Sequence, residues 1–256
     1  MKILETQLLT KNFGALLVTN SVDLSVIFSE RHAIIGPNGA GKTSLLNQLG
    51  GQLKPSSGRI VFKGQDVTGM APEHRCRLGL ARTFQRNNLF PNLSVSENVR
   101  LAVQSHYGLS WRFIRGAKAS QKIRAAVDEI LYQVHLLPRA QTTTRDLSYG
   151  EQRQLEIGIA LACKPELLML DEPTSGMSAA ETDRVIELIK SLSRDLTIVM
   201  VEHDMQVVFA LADRITVLTY GRILATGTPA EISMNDDVRQ AYLGNALSHG
   251  NSHARA

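Results

Sequence analysis

The sequence predicts an α/β fold, and three observations carry the prediction. From Tyr149 onward, helix-like and strand-like segments alternate: helix Gly150–Cys163, strand Leu167–Asp171, helix Ala179–Leu192, strand Thr197–Val201, helix Met205–Ala212. Strand segments such as Leu167-Leu168-Met169-Leu170 are continuous apolar runs, the pattern of strands buried on both faces of a parallel sheet. In the first fifty residues, Ala33-Ile34-Ile35 runs into the glycine-rich stretch Gly36–Thr43 and then Ser44-Leu45-Leu46, which reads as strand, turn and helix start.

Composition agrees with a soluble globular chain. At 256 residues, 43% hydrophobic and 20% charged, it can bury one large core, or a core with a smaller inserted domain, and global disorder is not expected. A net charge of +4 is mildly basic, and nucleotide phosphates account for it as readily as nucleic acid does. Cys76 and Cys163 stand far apart without metal-ligand spacing, which points to a reduced, cytosolic chain. The seven histidines form no H-E-x-x-H pattern, which argues against zinc. The start, Met1–Glu5, soon becomes polar and lacks the apolar stretch of a signal peptide. Runs such as Leu167–Leu170 and Ile198–Val201 are too short to span a bilayer, so any membrane process would be served from outside the lipid.

In chain order, Ile3–Leu9, Val22–Phe28 and His32–Ile35 read as strands, with Phe13-Gly14 between the first two. Arg59–Lys63 is a further strand after the turn Pro55-Ser56-Ser57-Gly58. Pro72–Leu78 reads as a short helix, followed by a strand near Leu80–Phe84 and then Gln85. Residues 86–147 are polar and helical. Ile123, Val127, Ile130, Val134 and Leu137 recur at steps of four and three, one apolar helix face that Pro138 is expected to stop. Trp111–Arg124 carries five Lys/Arg and no acid; headgroups, acidic loops or nucleic acid would suit it, and a solvated basic face is the simpler reading. Ile215–Thr219 and Arg222–Thr226 suggest a hairpin about Tyr220-Gly221, and Asn245–Ala256 is expected to be a disordered tail.

Gly36-Pro37-Asn38-Gly39-Ala40-Gly41-Lys42-Thr43 matches G-x-x-x-x-G-K-[ST]. Glycines let the backbone wrap so that successive N–H groups and a helix N-terminus converge on a polyphosphate; Lys42 adds a charge that reaches the β- and γ-phosphates, and the Thr43 hydroxyl can ligate Mg²⁺. By average residue usage the pattern arises by chance about once in 100 chains of this length, so the sequence points to a nucleoside triphosphate. Asp171 and Glu172 end an apolar strand, where side chains enter the ligand crevice of α/β proteins. Asp171 would help hold Mg²⁺, and Glu172 could polarise the attacking water. His203, after the Thr197–Val201 strand, could contact a γ-phosphate, although a histidine considered alone is more often a capping or surface residue. Gln85 could reach the Mg²⁺ or the water; as a lone glutamine it carries no signal. Ser148 with Glu151 is either a plain capping box or a second phosphate-binding helix start, and the residues alone leave both open.

Taken together, from about Leu4 to Gly244, these motifs resemble the nucleotide-binding subunit of an ATP-binding cassette (ABC) transporter, in the family's order. Walker A is Gly36–Thr43 with Ser44 following, the Q-loop residue is Gln85, the signature is Leu147–Glu151, Walker B is Leu167–Asp171 with Glu172, and the switch histidine is His203. Phe13 matches the aromatic that stacks on adenine. The resemblance implies a RecA-like P-loop ATPase core, an antiparallel β-subdomain and a helical subdomain near 86–160, all within a domain of residues 1–244. It further implies a head-to-tail pair of cassettes, with Ser148, Tyr149, Gly150 and Glu151 facing the ATP held by the other subunit.

Two positions depart from the pattern: Tyr149 stands where glycine is usual, and Ser178 where many relatives have aspartate. Ala81–Gln85, Leu89-Phe90, Leu93–Val99 and Ala241–Gly244 are similar to the subgroup serving importers of branched-chain amino acids, urea or short amides. That resemblance implies ATP and Mg²⁺ as ligands, transmembrane permease subunits as partners and a second ATP-binding subunit, identical or paralogous. It implies an indirect solute-binding protein outside the membrane, a peripheral place on the cytoplasmic face of the inner membrane, and no nucleic acid. The rival expectation is a soluble ABC ATPase acting on ribosomes or DNA; a single cassette without coiled-coil insertion or zinc module speaks against it. A nucleotide-binding regulator without turnover is disfavoured by Asp171, Glu172 and His203.

Overall fold

A computed structural model describes residues 1–83, 89–107 and 117–241, with the backbone alone for 117–119. Gln85, Trp111–Gly116 and the 245–256 tail therefore lie outside the described residues. In chain order the elements are β1 (Lys2–Phe13), β2 (Leu16–Val22), β3 (Ser25–Ile27), β4 (Arg31–Ile35), α1 (Lys42–Gly50), β5 (Ser57–Phe62), β6 (Gln65–Asp66), α2 (Pro72–Arg77), β7 (Leu80–Arg82), α3 (Val95–His106), α4 (Ala117–Gln133), α5 (Tyr149–Leu161), β8 (Leu167–Asp171), α6 (Ala179–Ser191), β9 (Thr197–Val201), α7 (Met205–Leu211), β10 (Arg214–Thr219), β11 (Arg222–Gly227) and α8 (Pro229–Met234). Among the described residues no helix is long and apolar enough to cross a membrane. Contacts divide the chain into two compact units, residues 1–72 with 197–256, and residues 73–196. The second unit holds β7, β8 and α6 together with helices α3, α4 and α5.

In the first unit, β1 is the spine of an antiparallel sheet ordered β2-β1-β5-β6, with β3 also paired to β1. The strand runs on to Phe13 instead of stopping at Leu9, and it pairs with a strand over 16–22 that the apolar pattern did not reveal. Polar positions such as Lys11, Asn12 and Asn20 hide both segments, and a register shift after Leu9 interrupts the alternation. Four further strands lie in the order β11-β10-β4-β9; β10 and β9 flank β4 in parallel, and β11 closes an antiparallel hairpin on β10. Tyr220 (φ 45°) and Gly221 (φ 73°) form its two-residue turn, the expected position. All five residues of β4 and of β9 are buried, as continuous apolar runs require.

Polar residues also sit in that core, among them Arg31, His32 and Thr197. His32 is fully buried on β4, its Nδ1 paired with Glu30 and its Nε2 2.7 Å from the Thr216 hydroxyl, which lies 2.9 Å from that of Thr226. The chain links β4, β10 and β11 through satisfied groups, the condition under which burying polarity is tolerable.

The turn between β4 and α1 is braced by backbone. Gly36, Gly39 and Gly41 take φ of 152°, 80° and 98°. A Cβ on Gly36 would lie 2.1 Å from the Leu218 carbonyl oxygen, and one on Gly41 would lie 2.4 Å from that of Val18. The loop is thus pressed against β10 and β2, and the Ala40 carbonyl accepts from the Gly221 N–H at 3.0 Å. Gly39 has nothing within 4 Å and needs glycine for its dihedral alone.

In the second unit, β7 and β8 pair in parallel, Leu80 opposite Leu167. Helices α3, α4 and α5 pack through Val95, Val99, Ile123, Val127, Leu155 and Ile157, all buried. Asn98 ties the loop before α3 together: its side chain bonds the Phe90 N–H and carbonyl at 2.9 and 3.1 Å and the Thr144 hydroxyl at 2.9 Å. The apolar face expected to run to Leu137 ends sooner. α4 stops at Gln133, His135 adopts φ 59°, and Leu137 is 40% exposed in a separate 3₁₀ turn, so Pro138 is not the terminator.

The same unit brings Cys76 and Cys163 together, although they are distant in sequence. The Gly79 carbonyl accepts from Glu166 N and Leu167 N at 2.8 and 3.0 Å, which draws the two cysteine turns alongside each other. A hydrogen bond from the Cys163 thiol then lowers the Cys76 thiol to about 7, against the opposing effect of burial, while the same bond pushes Cys163 up.

Two measurements follow from this geometry. Alkylation of Cys76, read by peptide mass spectrometry against pH, is expected to reach half its maximal rate near pH 7. Cys163→Ala should shift that midpoint upward and slow labelling at neutral pH; an unmoved midpoint contradicts the assigned hydrogen bond. In urea titrations, Gly39→Ala should cost about 1 kcal/mol from its dihedral alone, whereas Gly36→Ala and Gly41→Ala should each cost ~3 kcal/mol or more. Equal losses at the three glycines would contradict the bracing by Leu218 and Val18.

Candidate functional site

α1 opens on Gly41, which offers no side-chain cap, and its first turn holds no acid. No capping side chain competes for the helix start, the arrangement that binds phosphate. Lys42 is 7% exposed and donates to the Gly36 and Pro37 carbonyls at 2.7 and 3.0 Å, so its ammonium is held inside the curve of the loop. Thr43 and Ser44 are half-buried on the first turn, Asn38 and Gly39 are exposed at the rim, and Ala40 is buried beneath. Gln48 anchors the helix by donating to the Thr19 hydroxyl of β2 at 3.0 Å. Phe13, in the same unit, is 52% exposed at the end of β1, with the Lys11 ammonium 4.9 Å from its ring centroid.

His203 follows β9 with its side chain 56% exposed. Its N–H donates to Glu202 Oε2 at 3.1 Å, and the Glu202 carboxylate is fully buried. The capping reading of His203 does not hold, because Asp204 caps α7 by accepting from Gln206 N at 2.8 Å.

In the second unit, Asp171 ends β8 fully buried. Its Oδ2 accepts from Arg82 Nη2 at 2.8 Å, while Oδ1 is buried without a hydrogen-bond partner among the described residues. A buried carboxylate oxygen in that condition suits a hard cation such as Mg²⁺. Glu172, half-buried, takes φ 45°, a conformation uncommon for a non-glycine residue and typical of functional sites.

The start of α5 is built differently from that of α1. Ser148 caps it in a full capping box with Glu151. Ser178 and Glu181 form a second box on α6, and Glu181 Oε1 accepts from Gly150 N at 3.2 Å. Hydrogen bonds from Ser178, then Gly150 and Ser148, hold the Glu181 carboxyl below its usual range. Tyr149 is 39% exposed, with its ring beside Gly176. Ser178, where aspartate is common, serves as the cap of α6. Glu181 went unnoticed in the sequence although the Ser178-x-x-Glu181 spacing was there to read, as did Arg82, which has no such signal. A buried pair on α5 was also missed: Arg153 Nη1 lies 2.6 Å from Glu156 Oε2, and burial raises the Glu156 carboxyl against the pull of Arg153.

Comparisons with known proteins identify the family. The family described as ABC transporter matches residues 19–175, and that described as branched-chain amino acid ATP-binding cassette transporter matches residues 222–247. The chain is 40% identical over 247 residues to the high-affinity branched-chain amino acid transport ATP-binding protein LivG of Escherichia coli K12, covering 93% of this chain and 96% of that one. It is 39% identical over 253 residues to the protein BraF of Pseudomonas aeruginosa, covering 95% and 98%. Among solved structures, the ADP conformation of MJ1267, an ATP-binding cassette of an ABC transporter, superposes with a TM-score of 0.82 at 26% identity, over 95% of this chain and 99% of that one. The dimeric cassette MJ0796 bound to ADP and Pi gives 0.75 at 26% identity, over 88% and 98%. With the phosphate-loop geometry and a near full-length match both in place, the chain belongs to the ABC transporter family as one of its ATP-binding cassettes.

Proposed function

We propose that this cassette hydrolyses ATP to drive an importer of branched-chain amino acids or a related small polar solute. Its hydrolytic part rests on one observation above the rest: an apolar strand, β8, ends in two adjacent carboxylates of unlike environment, Asp171 buried with a spare oxygen and Glu172 turned by a positive φ. The cargo class rests on the similarity to LivG and BraF and on the 222–247 match.

In this reading the loop Gly36–Ser44 cradles the triphosphate with its N–H groups, Lys42 neutralises the β- and γ-phosphates, and Phe13 stacks on the adenine. Thr43, Asp171 and Gln85 are the residues that would hold Mg²⁺, which when bound with nucleotide neutralises charge on the phosphate oxygens. Glu172 orients the attacking water and accepts its proton, and His203 contacts the γ-phosphate. Ser148, Tyr149, Gly150 and Glu151 face the nucleotide of a second cassette, identical or paralogous. Permease subunits take up the motion at the cytoplasmic face of the inner membrane, with a solute-binding protein outside. The domain spans residues 1–244, with its helical part near 86–160.

Glu172→Gln is expected to lower kcat by about 10²–10⁴-fold while leaving ATP binding intact. Full turnover in that variant removes Glu172 from its role. Purified from its own cells with ATP and mild detergent, the same variant should carry permeases and a second cassette, and cells lacking the wild-type gene should lose leucine uptake. Ribosomal proteins or nucleic acid in place of permeases would overturn the transport reading and leave the ATP chemistry standing. Phe13→Ala should weaken nucleotide binding roughly 5-fold, the loss of about 1 kcal/mol of stacking.

A further inference from the structure

We infer that Arg82 is a positioning residue for the Asp171 carboxylate, holding one oxygen so that the other is presented to the nucleotide's divalent cation. The inference rests on the reading of Asp171 as a Mg²⁺ ligand.

Arg82 ends β7 and Asp171 ends the neighbouring parallel strand β8, where Arg82 stands opposite Met169. Thr83 N continues the pairing to the Met169 carbonyl at 2.9 Å, so the backbone on both sides of the contact is fixed. The side chains are 7% and 0% exposed, and Nη2 reaches Oδ2 at 2.8 Å. Two strand ends paired in register bring the guanidinium and the carboxylate together.

The pairing is asymmetric on the carboxylate. A guanidinium that serves only to tether commonly meets both oxygens of its partner in a fork. Here Oδ1 has no partner among the described residues, although it is buried. Burying a carboxylate demands a counter-charge, which Arg82 supplies, and the unmet oxygen demands a ligand, which Arg82 does not supply. Fixing Oδ2 fixes the direction of Oδ1. A cation ligand held by a neighbour outside the coordination shell in this way gains affinity through orientation, typically by 10–100-fold.

Charge alone makes the opposite prediction. A guanidinium on the same carboxylate repels a second cation, so its removal would tighten Mg²⁺ binding. Orientation predicts loosening, and the two accounts separate by sign.

The experiment measures binding of a fluorescent ADP analogue to the full chain, in EDTA and across a Mg²⁺ titration, with Mn²⁺ paramagnetic resonance as a direct count of bound metal. Arg82→Met is expected to raise the Mg²⁺ concentration for half-maximal enhancement about 10-fold, with metal-free affinity within 2-fold of wild type. Arg82→Lys, which keeps a buried cation, should give a smaller rise of roughly 3-fold and serves as the deciding variant if the methionine chain does not fold. An unchanged Mg²⁺ requirement, a tightened one, or equal losses with and without metal would each overturn the inference. Asp171→Asn is the control: if it leaves the Mg²⁺ requirement unmoved, the metal-ligand reading of Asp171 fails. If Asp171→Asn shifts the requirement and the Arg82 variants do not, only the role of Arg82 fails.

Discussion

A helix that begins without a capping side chain leaves its first N–H groups for something outside the protein. α1 begins without such a cap, on Gly41, and much of the first unit is arranged around keeping that start rigid. Rigidity comes from backbone contact. The Leu218 and Val18 carbonyls lie where Cβ atoms on Gly36 and Gly41 would sit, so β10 and β2 set the loop's path with no side chain between. β4 in turn is buried along its whole length and is linked to β10 by hydrogen-bonded His32 and Thr216. Three residues of positive φ in one turn are unfavourable for most sequences. Here glycine removes the steric part, and the buried strand on the upstream side and Gln48 on the downstream side hold the ends.

Three other helices start differently. α3, α5 and α6 all start in complete capping boxes, Ser94 with Glu97, Ser148 with Glu151, and Ser178 with Glu181. The contrast is electrostatic as well as geometric. At α1 the Lys42 ammonium is folded back on loop carbonyls, and the site is prepared for an anion. At α5 the helix start already carries Glu151, and Glu181 accepts from Gly150. A phosphate brought to α5 therefore meets donors already engaged by carboxylates, whereas one brought to α1 meets N–H groups that no capping side chain has taken. Ser148 thus serves as a cap in the isolated chain whatever it contacts in an assembled pair.

Features carried by short-range pattern were legible in the sequence. The phosphate loop, the buried runs of β8 and β9, and the hairpin at Tyr220-Gly221 each rest on residues within a few positions of one another, where period and turn chemistry speak directly. What was missed depends on partners far along the chain. β2 looks polar because one side of it is exposed, and only its pairing with β1 makes it a strand. Leu137 keeps helical spacing but falls after a left-handed His135, so the period continues where the helix does not. His32 finds Thr216, Cys76 finds Cys163 and Arg82 finds Asp171 across 184, 87 and 89 positions, and no local pattern announces any of the three.

The adjacent carboxylates at the end of β8 show how a strand end divides two like groups between two tasks. Along a strand, successive side chains point to opposite faces, so Asp171 and Glu172 would be separated by the pleat if the strand continued. It does not continue: Glu172 adopts φ 45°, Pro173 follows, and Ser175 N turns back to the Glu172 carbonyl at 3.2 Å. Asp171 remains within the sheet geometry, buried and bonded to Arg82, while Glu172 is re-aimed by its own backbone and stays half-buried. The two therefore sit in environments too different to act interchangeably. A carboxylate with a buried spare oxygen is suited to a fixed ligand, and one on a turned, partly exposed position is suited to a water that must arrive and leave. Substituting one for the other by moving the strand end a single residue would exchange both burial and direction, which ties the chemistry of the pair to the register of β8.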